Sequence, residues 1–271
     1  MGAFEIREDF YLNGQPFKIL SGAIHYFRID REDWYHSLYN LKALGFNTVE
    51  TYVPWNAHEP QKGHFHFEGN LDLEHFIQLA QELGLYVILR PSPFICAEWE
   101  FGGLPAWLLE AHLRIRSSDP AFVEAVAHYY DHLLSRVAQY QLDHGGPILM
   151  MQIENEYGSY GEDKAYLRAI RDLMVERGII CPLFTSDGPW RATLRTGTLI
   201  EDDIFVTGNF GSRANYNFSQ MKEFFGMVGL TAGKNPSLNG IPRSLQKLFT
   251  RCYKKAPSIS ICFMEAQTLA L

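Results

Sequence analysis

Over its first 225 residues the chain repeats one unit, a short β-rich run followed by a helical apolar stripe, and this rhythm restricts the fold more than any other feature. Parallel strands joined by helical crossovers are the expected product, because strands covered by helices on both faces are apolar along their whole length. Residues 19–27 read as a strand. Trp34, Leu38 and Leu41 then recur at i, i+4 and i+7, and Gly45 fits a helix stop. Residues 47–53 form the next strand, halted by Pro54, and Leu73, Phe76, Ile77 and Ala80 make a second stripe closed by Gly84. LYVIL at 85–89 is a continuous apolar run, and residues 122–141 have the length of a long helix. Residues 148–153 read as the fourth strand and 166–177 as its helix, stopped by Gly178, with the fifth and sixth strands at 183–186 and 204–207. Such repetition without a GxGxxG fingerprint favours a closed barrel over a dinucleotide-binding sheet. The predicted fold class is α/β, of the (β/α)8 TIM-barrel type, incomplete, with about six βα units present.

The residues that end these strands carry chemistry: His25 and Tyr26, Tyr52, Arg90, Glu156, Asp187 and Asn209. Barrel enzymes build their sites at the C-terminal strand ends, so an enzyme is the expectation. A formal net charge of -7 opposes nucleic acid as a partner, since phosphate contacts need clustered Lys and Arg. There is no apolar run long enough for a membrane span. The acidic start lacks the basic flank of a signal peptide, and Ile6 stands where a myristoylation motif needs Ser or Thr, so the cytoplasm is the default compartment. Four cysteines without a CxxC pair suggest neither a disulfide framework nor a zinc site. No metal or organic cofactor is expected, and the oligomeric state is left open.

Retaining glycoside hydrolysis needs two carboxyl groups about 5–5.5 Å apart, one acting as acid/base and one as nucleophile. The apolar run ILMMQI delivers Glu154-Asn155-Glu156 at its end, which puts a carboxyl group on a rigid support. Period-2 alternation puts Glu154 and Glu156 on the same side of the strand, so spacing alone does not choose between them.

GGPILMMQIENEY at 145–157 resembles, position for position, the active-site motif of glycoside hydrolase family 35, the family of β-galactosidases. LSGAIHYFR at 20–28, ETYVPWNAHEP at 50–60 and RPSPFICAEWEFGGLPAWLL at 90–109 are similar to three further stretches of that family, over residues 4–225 in all. The resemblance makes Glu156 the catalytic acid/base and Asn155 the contact to the sugar 2-hydroxyl. It places galactose contacts at Tyr52, Cys96, Ala97 and Glu98. Cys96 reads as a small residue lining the site, and Glu98 as a buried carboxylate whose hydrogen-bond donors would be sugar hydroxyls. Trp55, Trp99 and Trp107 read as core aromatics or as walls of the cleft.

The sequence departs from the family at the second carboxylate. The family's nucleophile is a Glu ending the seventh strand before an aromatic pair and Gly-Trp, and only Glu223-Phe224-Phe225-Gly226 echoes that form. From Gly226 onward Lys and Arg outnumber acids, only Glu265 is acidic, no histidine occurs, and the βα rhythm is not readable. The expected organisation is a partial catalytic barrel over 1–225 and an aberrant basic tail over 226–271, the product of a deletion with a change of reading frame. A six-stranded barrel would then carry two open edges. The leading expectation is hydrolysis of terminal β-D-galactose from β-galactosides by double displacement. The alternatives are an inactive chain that at most binds galactosides, and the same chemistry on a different sugar.

Overall fold

The computed structural model describes residues 2–7, 9–91, 93–110, 112–188 and 190–209, together with the strand pair 261–262. Three short antiparallel strands come first, β1 (Phe4–Ile6), β2 (Phe10–Leu12) and β3 (Gln15–Phe17). Six parallel strands follow in spatial order of sequence: β4 (Ile19–Ala23), β5 (Thr48–Tyr52), β6 (Tyr86–Arg90), β7 (Ile148–Gln152), β8 (Leu183–Asp187) and β9 (Phe205–Gly208). Helices α1 (Trp34–Ala43), α3 (Leu73–Glu82), α5 (Pro120–Val137), α6 (Lys164–Glu176) and α7 (Arg191–Gly197) alternate with them, and two single turns, α2 (Trp55–His58) and α4 (Trp107–Glu110), lie in the connections. The result is an incomplete (β/α)8 barrel.

The apolar stripes read from the sequence face the sheet. Trp34, Leu38, Leu41, Leu73, Phe76, Ile77 and Ala80 are all buried, and Gly45, Gly84 and Gly178 end their helices at positive φ, where a residue lacking Cβ is at ease. Asp72, Asp119 and Asp163 cap α3, α5 and α6 with side-chain hydrogen bonds to backbone N–H groups.

The first strand is shorter than its apolar pattern. β4 stops at Ala23, and Tyr26–Arg28 turns as a 3-10 helix, because Trp34 Nε1 ties the Tyr26 carbonyl into the core. The antiparallel sheet at the chain start had no counterpart in the βα rhythm. It covers the N-terminal barrel end, where Phe10 meets Phe205 edge-on at 5.8 Å and Phe17 meets Tyr86 at 5.5 Å. The opposite end, at the strand C-termini, is left for the site.

Expectations for Glu223 and for the tail fall outside the described residues, except for one strand. β10 (Ile261–Cys262) pairs parallel to β4 through Ile261↔Ile19 and Cys262↔Leu20. One of the two barrel edges expected to be open therefore carries a partner along two residues, in a segment where no strand was read. The unpaired ladder of an edge strand accepts any extended backbone, so this pairing does not require a side-chain pattern.

Candidate active site

At the C-terminal strand ends a buried polar lattice crosses three neighbouring strands. Arg90, at the end of β6, donates from one guanidinium nitrogen to Glu50 Oε1 on β5 at 2.9 Å, from another to Asn155 Oδ1 at 2.9 Å, and through Nε to Gln152 on β7. Its guanidinium lies 4.1 Å from the ring centre of Tyr52. Glu50, Arg90 and Gln152 are buried. An ion pair at such depth is costly, and the further hydrogen bonds of Arg90 to Asn155 and Gln152 offset part of that cost.

Asn155 is the centre of this lattice. Its amide oxygen accepts from Arg90, from Gln152 at 3.2 Å and from the Tyr52 hydroxyl at 3.2 Å. Three donors on one atom fix that atom as oxygen, so the amide nitrogen faces the other way and donates to the Ile95 carbonyl at 3.2 Å. The second amide N–H has no protein acceptor among the described residues. Burial raises the Tyr52 hydroxyl above its ordinary range, so it stays a donor.

The two acids that spacing left equivalent are separated by the backbone. β7 ends at Gln152, and both Glu154 (φ 53°) and Glu156 (φ 48°) are left-handed, so strand alternation does not apply to them. This corrects the expectation of a shared side. Glu154 is buried in a closed network: Arg116 Nε and Nη2 grip its two oxygens at 2.9 and 2.8 Å, and the Tyr166 hydroxyl donates at 2.9 Å. Glu156 is half-buried, and Asn209 Nδ2 donates to its Oε1 at 3.3 Å. Its backbone N–H donates to the Ser186 carbonyl at 2.9 Å, which ties it to the end of β8.

The segment Cys96, Ala97 and Glu98 runs through three consecutive left-handed residues, with φ of 59°, 52° and 45°. Such a run costs about 1–3 kcal/mol per residue and marks a loop held by its surroundings. Arg28 holds it through the Ala97 carbonyl, and Trp99 N–H donates to the Cys96 carbonyl at 2.9 Å. Ala97 is buried against Tyr52 and Ile95, whereas Cys96 and Glu98 are exposed. The expectation of a buried Glu98 is thus corrected, since the left-handed turn aims its side chain outward and no desolvation penalty acts on it. Trp55 is fully buried and stacks on Tyr129 at 4.9 Å, so it is a core residue; Trp99 and Trp107 are half-buried.

Arg116 was missed in the sequence. It sits in an unpatterned loop, at φ 51°, and nothing local marks it as a partner of Glu154. In the sequence His25 reads only as a strand end. It is buried between Phe27 and Tyr52, and its Nδ1 has no hydrogen-bond partner. Burial, with Arg28 and Arg90 adding to it, pushes the imidazole down to about 3 from 6.5. The unfolded chain therefore binds this proton near pH 6.5 while the folded chain refuses it, and folded stability falls as pH drops through that window. Replacing His25 by Phe is expected to flatten the fall in urea midpoint between pH 7 and 4.5. Equal pH slopes in the two proteins would refute this assignment.

Among the described residues no group of three or more His, Cys, Asp or Glu is placed to hold a metal ion, and no helix is long and apolar enough to cross a membrane. A polar lattice and a half-buried carboxyl at the strand C-termini, on a βα barrel, is an arrangement suited to acid/base work on a neutral ligand. The model of the Glycosyl hydrolases family 35 matches residues 9–240. The chain belongs to glycosyl hydrolases family 35. It is 52% identical to human "Beta-galactosidase-1-like protein 3" over 67% of this chain and 28% of that protein. It is 49% identical to mouse "Beta-galactosidase" over 77% of this chain and 32% of that protein, and 41% identical to "Beta-galactosidase 8" of Oryza sativa subsp. japonica over 83% and 34%. The chain thus spans about a third of the length of these relatives. In fold it is similar to the exo-beta-1,4-mannosidase Op5Man5 of Opitutaceae bacterium strain TAV5 (TM-score 0.67, 14% identity, 93% of this chain and 52% of that one). It is similar also to GH5_18 of Streptomyces cattleya in complex with GlcNAc (TM-score 0.64, 16% identity, 92% and 70%).

Proposed function

We propose that this chain carries the acid/base half of a β-galactosidase site, releasing terminal non-reducing β-D-galactose by a retaining double displacement. The observation that carries the reading is the division of labour between the two acids: Glu154 is consumed by Arg116 and Tyr166, and Glu156 keeps its carboxyl at the strand ends with Asn209 as its one donor among the described residues. Glu156 protonates the departing glycosidic oxygen as a second carboxylate, expected outside the described residues, bonds the anomeric carbon; it then deprotonates the water that displaces that carboxylate from the galactosyl ester. Asn155, its oxygen locked by three donors, offers its remaining N–H to the sugar 2-hydroxyl, a contact that strengthens as the oxocarbenium-like transition state forms. Tyr52, Ala97, Cys96 and Glu98 line the galactose subsite, the exposed Cys96 and Glu98 facing ligand from the left-handed loop.

A second reading, galactoside binding without turnover, is favoured by the charge reversal after Phe225 and the absence of a clear nucleophile motif. A chromogenic β-galactoside, with the matching β-glucoside in parallel, separates the cases. Turnover of the galactoside at least tenfold above the glucoside is expected. Binding of galactose without hydrolysis would establish the second reading, and equal turnover of both sugars would discard the assigned specificity.

A further inference from the structure

Asp187 ends β8 next to Glu156, and the proposed reaction does not use it. It is buried, yet its carboxyl is placed with care. Oδ1 accepts from the backbone N–H of Gly158, two residues past Glu156, at 2.7 Å. The Asp187 carbonyl accepts from the backbone N–H of Asn209 at 2.7 Å, and the Asn209 side chain is the donor to Glu156. Ser186, the preceding residue, accepts from the Glu156 N–H through its carbonyl, and its hydroxyl donates to Asn209 Oδ1 at 2.7 Å. The left-handed Glu156 is thus stitched to the end of β8 at its own N–H and again two residues later at Gly158.

Glycines keep this arrangement tight. A Cβ on Gly197 of α7 would lie 2.0 Å from Asp187 Oδ1, and one on Gly158 would lie 1.9 Å from the Thr193 carbonyl oxygen. Helix α7 therefore presses on both the carboxyl and the turn it holds, and neither glycine can gain a side chain without moving backbone or carboxylate.

We propose that Asp187 is the positioning residue of Glu156: its carboxyl oxygen anchors the 156–158 turn through Gly158, so that the strained left-handed backbone presents the Glu156 carboxyl to Asn209 and to a bound glycoside. The proposal rests on the reading of Glu156 as the acid/base, but the anchor itself is measurable without turnover. The groups facing Asp187 are Glu154 and Glu156 beyond the end of β7 and Lys164 on α6. Burial, opposed by the Gly158 N–H and reinforced by the two glutamates, pushes its carboxyl up to about 7. Toward Gly158 the carboxyl oxygen acts as an acceptor in either protonation state, so an amide of the same shape serves in its place.

Asp187→Asn and Asp187→Leu have nearly the shape of Asp, and only Asn keeps an acceptor. Amide hydrogen exchange of Gly158 and the 13C carboxyl resonance of Glu156 are followed in both, beside steady-state kinetics. The Asn variant is expected to keep Gly158 protection and kcat within about threefold. The Leu variant is expected to exchange Gly158 at least about tenfold faster, to displace the Glu156 resonance, and to lose about tenfold or more in kcat with KM within twofold. Unchanged Gly158 exchange in the Leu variant, or equal loss in both variants, overturns the proposal. A wild-type chain without turnover sinks the hydrolase reading instead, and the exchange data still decide the anchor.

Discussion

Replacing Glu156 by Gln is expected to lower kcat/KM on β-galactosides with poor leaving groups by about 10²–10⁴-fold, the range of a lost general acid/base. Gln preserves the shape of the side chain and can still meet Asn209, so folding should be unaffected. The loss should depend on the aglycone. A nitrophenolate departs without a proton, so the first displacement is spared and the galactosyl intermediate accumulates behind a slow second step. Azide, a nucleophile that needs no base, should then restore turnover and yield a galactosyl azide of retained configuration. The parallel Glu154→Gln variant is expected to lose stability rather than this aglycone dependence, because Glu154 is enclosed by Arg116 and Tyr166. A loss below tenfold in the Glu156 variant on a galactosyl disaccharide would sink the assignment.

Loss of Arg116 should produce the largest change in stability, about 3–5 kcal/mol, because Glu154 is left charged and uncompensated in the interior. The Arg116 side chain is 5% exposed and that of Glu154 fully buried. The guanidinium does more than pair. It donates to the Asn155 carbonyl at 2.8 Å and lies 3.8 Å from the ring centre of Phe94 and 4.3 Å from that of Tyr160. Lys supplies neither the two-pronged grip nor the planar stacking, so Arg116→Lys should recover little. Neutralising the orphaned acid should recover more: the double variant Arg116→Ala with Glu154→Gln is expected to regain part of the loss. Urea unfolding of the four proteins at one pH measures this as a double-mutant cycle. An Arg116→Ala loss below about 1 kcal/mol with an unchanged denaturant slope would show that the pair does not hold the strand end.

These two residues mark how far a one-dimensional reading reaches. The helical stripes, the parallel strands and the family motif were legible because each is local: a period of 3.6, an apolar run, or thirteen consecutive residues around Glu156. Tyr52, Arg90, Glu156, Asp187 and Asn209 read as strand ends for the same reason. Arg116 lies 38 residues from Glu154, in a loop without a pattern, and no local signal announces such a partner. The antiparallel strands at the chain start escaped because three-residue strands carry too little periodicity.

The sequence by itself determined the barrel class, the family and the identity of the ENE motif, because hydrophobic spacing and a long matched motif survive without knowledge of who touches whom. Only the tertiary structure separated the surroundings of Glu154 and Glu156. Both are acids two residues apart, and alternation would have paired them, but the strand stops at Gln152 and two left-handed residues send their carboxyls to different neighbourhoods. One meets a guanidinium brought from a distant loop, and the other meets Asn209 at the end of another strand. Backbone handedness and long-range partners arise from the packing of the whole barrel, so the different surroundings of the two acids are a property of the fold rather than of the motif.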